Sequence, residues 1–258
     1  MTIRTMSTRL GAAIAASTLV LAVPAVALAA PGGTTTLATT TPTVAATATG
    51  TASNPRCTPA VFAAAQQDVE AALASRSATL TSLTADVRAA GALTAADRAT
   101  ITATLQSTTA GIQQLTAQVP TATTCPELRV DATSMVQTYR VFAVVAPQTH
   151  LAIVADKEAA VEALATGDEP GIQRLITTAQ QSGKDVAAAQ AAFADFRSQV
   201  AAAQAASNGV DATVLSQTAS SYPGSSPVLV DARNSLQTAD TDLHAAKGDL
   251  STIVSALG

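Results

Sequence analysis

Tyr139-Arg-Val-Phe-Ala-Val-Val-Ala-Pro-Gln-Thr-His150 lies within the most apolar part of the chain after its N-terminal segment, from Leu128 to Leu164. Apolar side chains recur there at steps of four and three residues, the spacing of one face of an α-helix. The members of this stripe are Leu128, Ala132, Met135, Tyr139, Phe142, Ala146, Thr149 and Ile153. Further valines and leucines widen the stripe over most of the helix, so we predict a central position in a bundle.

Pro147 interrupts this predicted central helix. Its nitrogen cannot donate a hydrogen bond to the carbonyl of Ala143, and its ring crowds that carbonyl, so we expect a kink there. Tyr139, Arg140 and His150 are the polar residues around the kink. Together with Pro147 they form a candidate ligand or contact site. The alternatives are an ordinary half-buried histidine and an arginine paired with a carboxylate on a neighbouring helix.

The composition favours helices throughout. Of the 258 residues 48% are apolar, only 2% are aromatic and 12% are charged, so the core is filled mostly by Ala, Leu and Val. No stretch alternates with a period of two residues, as a half-buried strand would. We therefore predict an all-α fold, an elongated antiparallel helical bundle with coiled-coil-like heptad seams.

Residues 1–29 have the three parts of a secretory signal peptide. A basic start with Arg4 and Arg9 precedes an apolar centre, and Ala27-Leu-Ala29 supplies the small residues of a cleavage site. The alternative is an uncleaved membrane anchor. With cleavage after Ala29, we predict a protein that is secreted or associated with the cell wall and has no integral membrane span.

Residues 30–56 are rich in Thr, Ala and Pro and show no apolar periodicity, so we predict a disordered linker. It is either a glycosylated spacer or a plain tether. The helical bundle domain then covers 57–258. Without Arg4 and Arg9 the 14 basic residues become 12, against 18 acidic ones, a formal charge of −6. This charge argues against nucleic acid or an anionic membrane surface as the main partner.

Capping residues and breakers define the predicted helices of the domain. Thr58 and Thr94 are expected to cap the first two helices, and Gly167 is expected to close the third, with Asp168-Glu-Pro opening the fourth. The predicted helices run from Pro59 to Ala90, from Thr94 to Pro120, from Pro126 to Ala165, from Asp168 to Asn208, from Asp211 to Ser220, and from about Leu229 to the C-terminus.

Cys57 and Cys125 each stand directly before a proline that opens a helix. The starts of the first and third helices of an up-down-up bundle lie at the same end, so the two thiols can meet. In an exported protein we predict a disulfide, a structural staple and not a redox pair. Closing this loop contributes about 4–5 kcal/mol in the chain-entropy model.

No recognisable catalytic, cofactor or metal motif occurs in the sequence. The Glu-x-x-His pattern, nucleophile elbows and phosphate-binding glycine loops are all missing. Glu158 and Glu162 lie one helical turn apart, a spacing that can hold a cation or share a proton. Because Lys157 is adjacent, we interpret this pair as a solvated acidic face. His244, one turn after Asp240, is interpreted as a surface pair.

The segment from Tyr139 to Leu151, followed by Ala155-Asp156 and later by Tyr222-Pro-Gly and Val230-Asp-Ala-Arg233, resembles a known group of proteins. These are uncharacterised exported all-helical proteins of high-GC Gram-positive bacteria. The resemblance covers roughly residues 57–257 and implies export and a helical fold, without supplying an activity.

Two functional hypotheses follow from these patterns. The first is a non-enzymatic exported bundle that acts as a structural or interaction module, binding a protein partner or associating with itself through helix faces. The alternative is a carrier of a small ligand or lipid, with a cavity at the Pro147 kink and with Tyr139, Arg140 and His150 at its mouth. No cofactor is expected for either.

Overall fold

A computed structural model describes residues 57–258. The predicted signal peptide (1–29) and linker (30–56) lie outside the described residues. Within 57–258 all regular secondary structure is helical, which confirms the all-α class. The α-helices are α1 (Pro59–Ala89), α2 (Ala95–Gln118), α3 (Cys125–Gln137), α4 (Ala146–Gln181), α5 (Ala187–Ser207), α6 (Val210–Leu215) and α7 (Ser225–Leu257).

The predicted starts of the first two helices are confirmed. The Thr58 hydroxyl accepts a hydrogen bond from the backbone N–H of Val61, and the Thr94 hydroxyl accepts one from that of Asp97. These bonds satisfy donors that have no partner within the first helical turn.

The central segment is broken upstream of the position predicted from Pro147. After α3 ends, Arg140 adopts the left-handed conformation, with φ 41° and ψ 43°. A π-helical turn, Val141–Val145, leads into α4. Pro147 therefore lies in the first turn of α4, a position where proline is readily accommodated. The kink expected at Pro147 was wrong in position, because the α-helix is interrupted at Arg140, before the π-helical turn.

The predicted end of this helix at Gly167 is also wrong. Helix α4 continues through Gly167 and Pro170 to Gln181. Ile172 and Ile176 beyond the proline are fully buried, so packing in the core outweighs the local cost of the breakers. The turn comes instead at residues 182–186, where Gly183 adopts φ 78°, a conformation that glycine adopts without strain.

The buried apolar side chains form two clusters. The first core contains residues of α1, α2, α3, α6 and the early parts of α4 and α7. The second contains α5 and the later parts of α4 and α7. Helices α4 and α7 pass through both cores in the same direction. The border between the cores lies between Ala155 and Val161 on α4, and between Leu236 and Ala239 on α7.

The apolar stripe of the last helix, α7, is buried along almost its whole length. Eight of its positions are at most 5% exposed, namely Leu229, Ala232, Leu236, Ala239, Leu243, Ala246, Leu250 and Ile253. The small alanines between the leucines permit close approach of a neighbouring helix, and α5 makes the most extensive contact with α7.

The predicted disulfide between Cys57 and Cys125 is confirmed. It joins the N-terminal ends of α1 and α3, with 6.3 Å between the two Cα atoms. Across residues 57–258, none of the helices combines the length and the apolar character needed to cross a membrane.

Candidate functional site

Two residues of the sequence-based candidate site make specific packing contacts. The ring of Tyr139 lies directly against the backbone of Gly111 on α2. The guanidinium carbon of Arg140 lies 4.4 Å from the centre of the Tyr222 ring, a cation–π arrangement. Both contacts hold the break between α3 and α4 against its neighbours.

The other two residues do not join them around one cavity. Pro147 borders a cavity of about 140 Å³ that is also lined by Arg233 and by apolar residues near the start of α7. This volume is smaller than the roughly 300–1,000 Å³ of typical ligand pockets. His150 is half-buried on α4 and does not line this cavity.

A layer of carboxyl groups lies at the border between the two hydrophobic cores. On α4, Asp156, Glu158 and Glu162 are at most 6% exposed. Their neighbours from other helices are Asp97 of α2, Asp211 of α6 and Asp240 of α7. We call these six residues the acidic layer. The interpretation of Glu158 and Glu162 as a solvated face is therefore wrong, because α4 is covered on these sides.

One part of the acidic layer is a cluster of three carboxylates. Asp97, Asp156 and Asp211 each place an oxygen within 4.8 Å of the others. The backbone N–H of Thr94 donates to Asp156 Oδ2 at 2.7 Å. Burial raises the pKa of Asp156, the Thr94 bond opposes this, and the charges of Asp97 and Asp211 raise it further. Carboxylate oxygens are the ligands of hard cations, although calcium takes six to eight oxygens.

Beside this cluster lies a cavity of about 330 Å³ between α4 and the ends of α5 and α6. Asp156, Glu162 and Asp211 line it together with Gln204, Ser207 and Asn208. The Ser207 hydroxyl donates to Glu162 Oε1 at 2.8 Å. Burial raises the pKa of Glu162, and the bond from Ser207 opposes that rise.

Glu158 lies one turn before Glu162 on α4 and faces away from Asp156. Because it is two residues from Asp156, its side chain leaves the helix on roughly the opposite face. Glu158 is 0% exposed, and neither of its carboxyl oxygens has a hydrogen-bond partner. Burial raises its pKa to about 7; the charges of Asp240 and Glu162 contribute to the rise, and Lys157 opposes it. At neutral pH a large fraction of this group therefore carries a proton.

An open apolar groove lies between α1 and α3 next to the disulfide. It has a volume of about 530 Å³ and is lined by Val61, Ala65 and Val69 of α1 and by Leu128, Arg129 and Ala132 of α3. We call this surface the apolar groove. Val61 is 50% exposed, and Val136, one turn beyond Ala132, is 49% exposed.

Comparison with known proteins supplied no relative: no protein-family model, curated protein or solved structure matches the chain.

Proposed function

We propose that the chain is an exported, non-enzymatic helical bundle that acts as a structural or interaction module at the cell surface or in the medium. The apolar groove is the observation that carries this proposal, since it is an open surface suited to a helix. The disulfide supports export, because such bonds persist mainly in oxidising compartments. In this proposal residues 1–29 direct export, 30–56 form the spacer, and the helices pack through coiled-coil-like seams.

The occupant that we propose for the apolar groove is α3 of a second copy of this chain. Val61 and Val136 leave about half of their surfaces exposed. A two-fold dimer brings the same patch of both copies together, so the patch must complement itself. Arg129 of α3 lines the groove at its edge.

Sedimentation equilibrium of the disulfide-bonded protein lacking its signal peptide tests this proposal. The unmodified protein is expected to associate as its concentration rises. A Val61→Lys, Val136→Lys double variant places two charges in the interface and is expected to remain monomeric. Leu164→Lys is the matched control, because Leu164 is also 50% exposed but lies on α4 beside the second core.

Self-association is contradicted by an unmodified protein that stays monomeric up to about millimolar concentration. It is equally contradicted if the groove variant and the Leu164 control associate alike. Either result would overturn the second copy as the occupant of the groove.

The carrier hypothesis has less support, since the cavity beside Pro147 is only about 140 Å³. Native mass spectrometry of the protein recovered from its culture medium tests it. A persistent mass that remains on the bundle after proteolytic removal of residues 30–56 would favour the carrier over the interaction module.

A further inference from the structure

The acidic layer lies where the two hydrophobic cores meet, and α4 and α7 are continuous through both cores. Glu158 of α4 and Asp240 of α7 belong to the contact between these two helices. Both oxygens of Glu158 and one oxygen of Asp240 are buried without a hydrogen-bond partner. A buried carboxylate with no partner strongly disfavours the charged form. Closure of this contact therefore depends on the protonation of Glu158.

The charged groups that act on Glu158 are mostly acidic. Asp240 acts from α7, while Glu162 and Lys157 act from α4 itself. From α5 the Ser207 hydroxyl reaches the layer and donates to Glu162. His244 Nδ1 lies 3.5 Å from Asp240 Oδ1 on the partly exposed edge of α7. Ionised Glu158 would thus meet two carboxylates and only one lysine.

A proton suits this position better than a metal ion. Glu158 does not line the 330 Å³ cavity beside Glu162, and each of its oxygens exposes less than 1 Å². A divalent cation needs room for six or more oxygen ligands. Protonation needs no added volume and removes the buried charge.

We propose that the acidic layer is a proton-operated junction: neutral Glu158 permits close packing of α4 on α7 between the two cores, and ionised Glu158 loosens that contact. Because burial raises the pKa of Glu158 to about 7, the transition is centred near neutrality. The protein is therefore tightest in a mildly acidic medium and more open at the junction in an alkaline one.

Amide hydrogen exchange of the disulfide-bonded protein at about pH 5.5 and about pH 8.5 tests the junction, after correction for the intrinsic effect of pH on exchange. In the unmodified protein, protection in residues 155–162 and 236–243 is expected to fall about tenfold at the higher pH. Glu158→Gln keeps the shape of the side chain and cannot ionise, so its protection is expected to remain high. Glu70→Gln, at an exposed glutamate on α1, is the control and should behave like the unmodified protein.

A second variant tests the electrostatic cause. Asp240→Asn removes the neighbouring charge that raises the pKa of Glu158 most, so this pKa falls and the loss of protection should shift to lower pH. Equal protection at both pH values in the unmodified protein would overturn the proposal. An equal loss in Glu158→Gln, or an unmoved midpoint in Asp240→Asn, would overturn it as well.

Discussion

Substitution of Gly111 by alanine tests the packing of Tyr139, because it adds one methyl group where the ring lies. A Cβ added at Gly111 would overlap the Tyr139 ring. Although alanine favours a helix over glycine by about 1 kcal/mol, overpacking costs about 1–3 kcal/mol. We expect Gly111→Ala to lower the free energy of unfolding, measured in urea. Gly167→Ala is the control: no atom lies within 4 Å of its added Cβ, and it should be neutral or stabilising.

Arg140 combines a left-handed backbone with a favourable side-chain contact. The φ of 41° destabilises the fold by about 1–2 kcal/mol for any residue with a Cβ. The contact of Arg140 with Tyr222 stabilises it by about 0.5–1 kcal/mol. Arg140→Ala keeps the unfavourable left-handed backbone and loses the contact with Tyr222. It should therefore be less stable than both the unmodified protein and Arg140→Gly. Arg140→Gly should be about 1 kcal/mol more stable than Arg140→Ala in urea unfolding. Equal stabilities of the two variants would show that the backbone at 140 is unstrained.

At the level of helices, the two prolines of α4 are expected to behave differently. Pro147 lies in the first turn, whereas Pro170 lies in the interior, where proline removes a hydrogen bond and crowds the preceding turn. Pro170→Ala should raise the free energy of unfolding by about 1–3 kcal/mol, and Pro147→Ala should change it by less than about 0.5 kcal/mol. Thermal and urea unfolding measure the change in stability of each variant. Equal changes for the two substitutions would contradict a continuous helix α4 through Pro170.

The sequence predicts helix starts better than helix ends in this chain. Thr58 and Thr94 cap their helices with their own side chains. This capping depends only on neighbouring residues, so it can be predicted from the local sequence. The continuation of α4 past Gly167 depends on the burial of Ile172 and Ile176 between distant helices, which the local sequence does not encode. The Gly183 turn had a local signal, a glycine among polar residues, which was outweighed by the stronger breakers at Gly167 and Pro170.

The disulfide acts on the whole molecule, because it closes a loop between residues 68 positions apart. We expect the Cys57→Ser, Cys125→Ser double variant to be less stable by about 2–5 kcal/mol in urea. The change should be the same, within error, as that caused by reducing the unmodified protein. A variant with unchanged stability would contradict the role of the bond as a staple.

The acidic layer is the feature that sequence reasoning missed. The spacing of Glu158 and Glu162 correctly places both carboxylates one turn apart, but it does not reveal which neighbours cover them. Asp97, Asp211 and Asp240 come from three other helices, so only the packing of the whole molecule brings them to α4. The apolar residues Ala155 and Val161 on either side were the available sign of burial.

The free energy of unfolding as a function of pH tests the acidic layer most directly. An unfolded glutamate releases its proton near its ordinary pKa of 4.5, whereas folded Glu158 holds it until about pH 7. The folded state binds more protons in this window, so stability should be highest below it and fall by about 3 kcal/mol as pH rises through it. Asp156 and Glu162 act in the same direction. Urea unfolding between about pH 4.5 and 7.5 should show this fall, reduced in Glu158→Gln; a constant or rising stability would contradict the buried acidic layer.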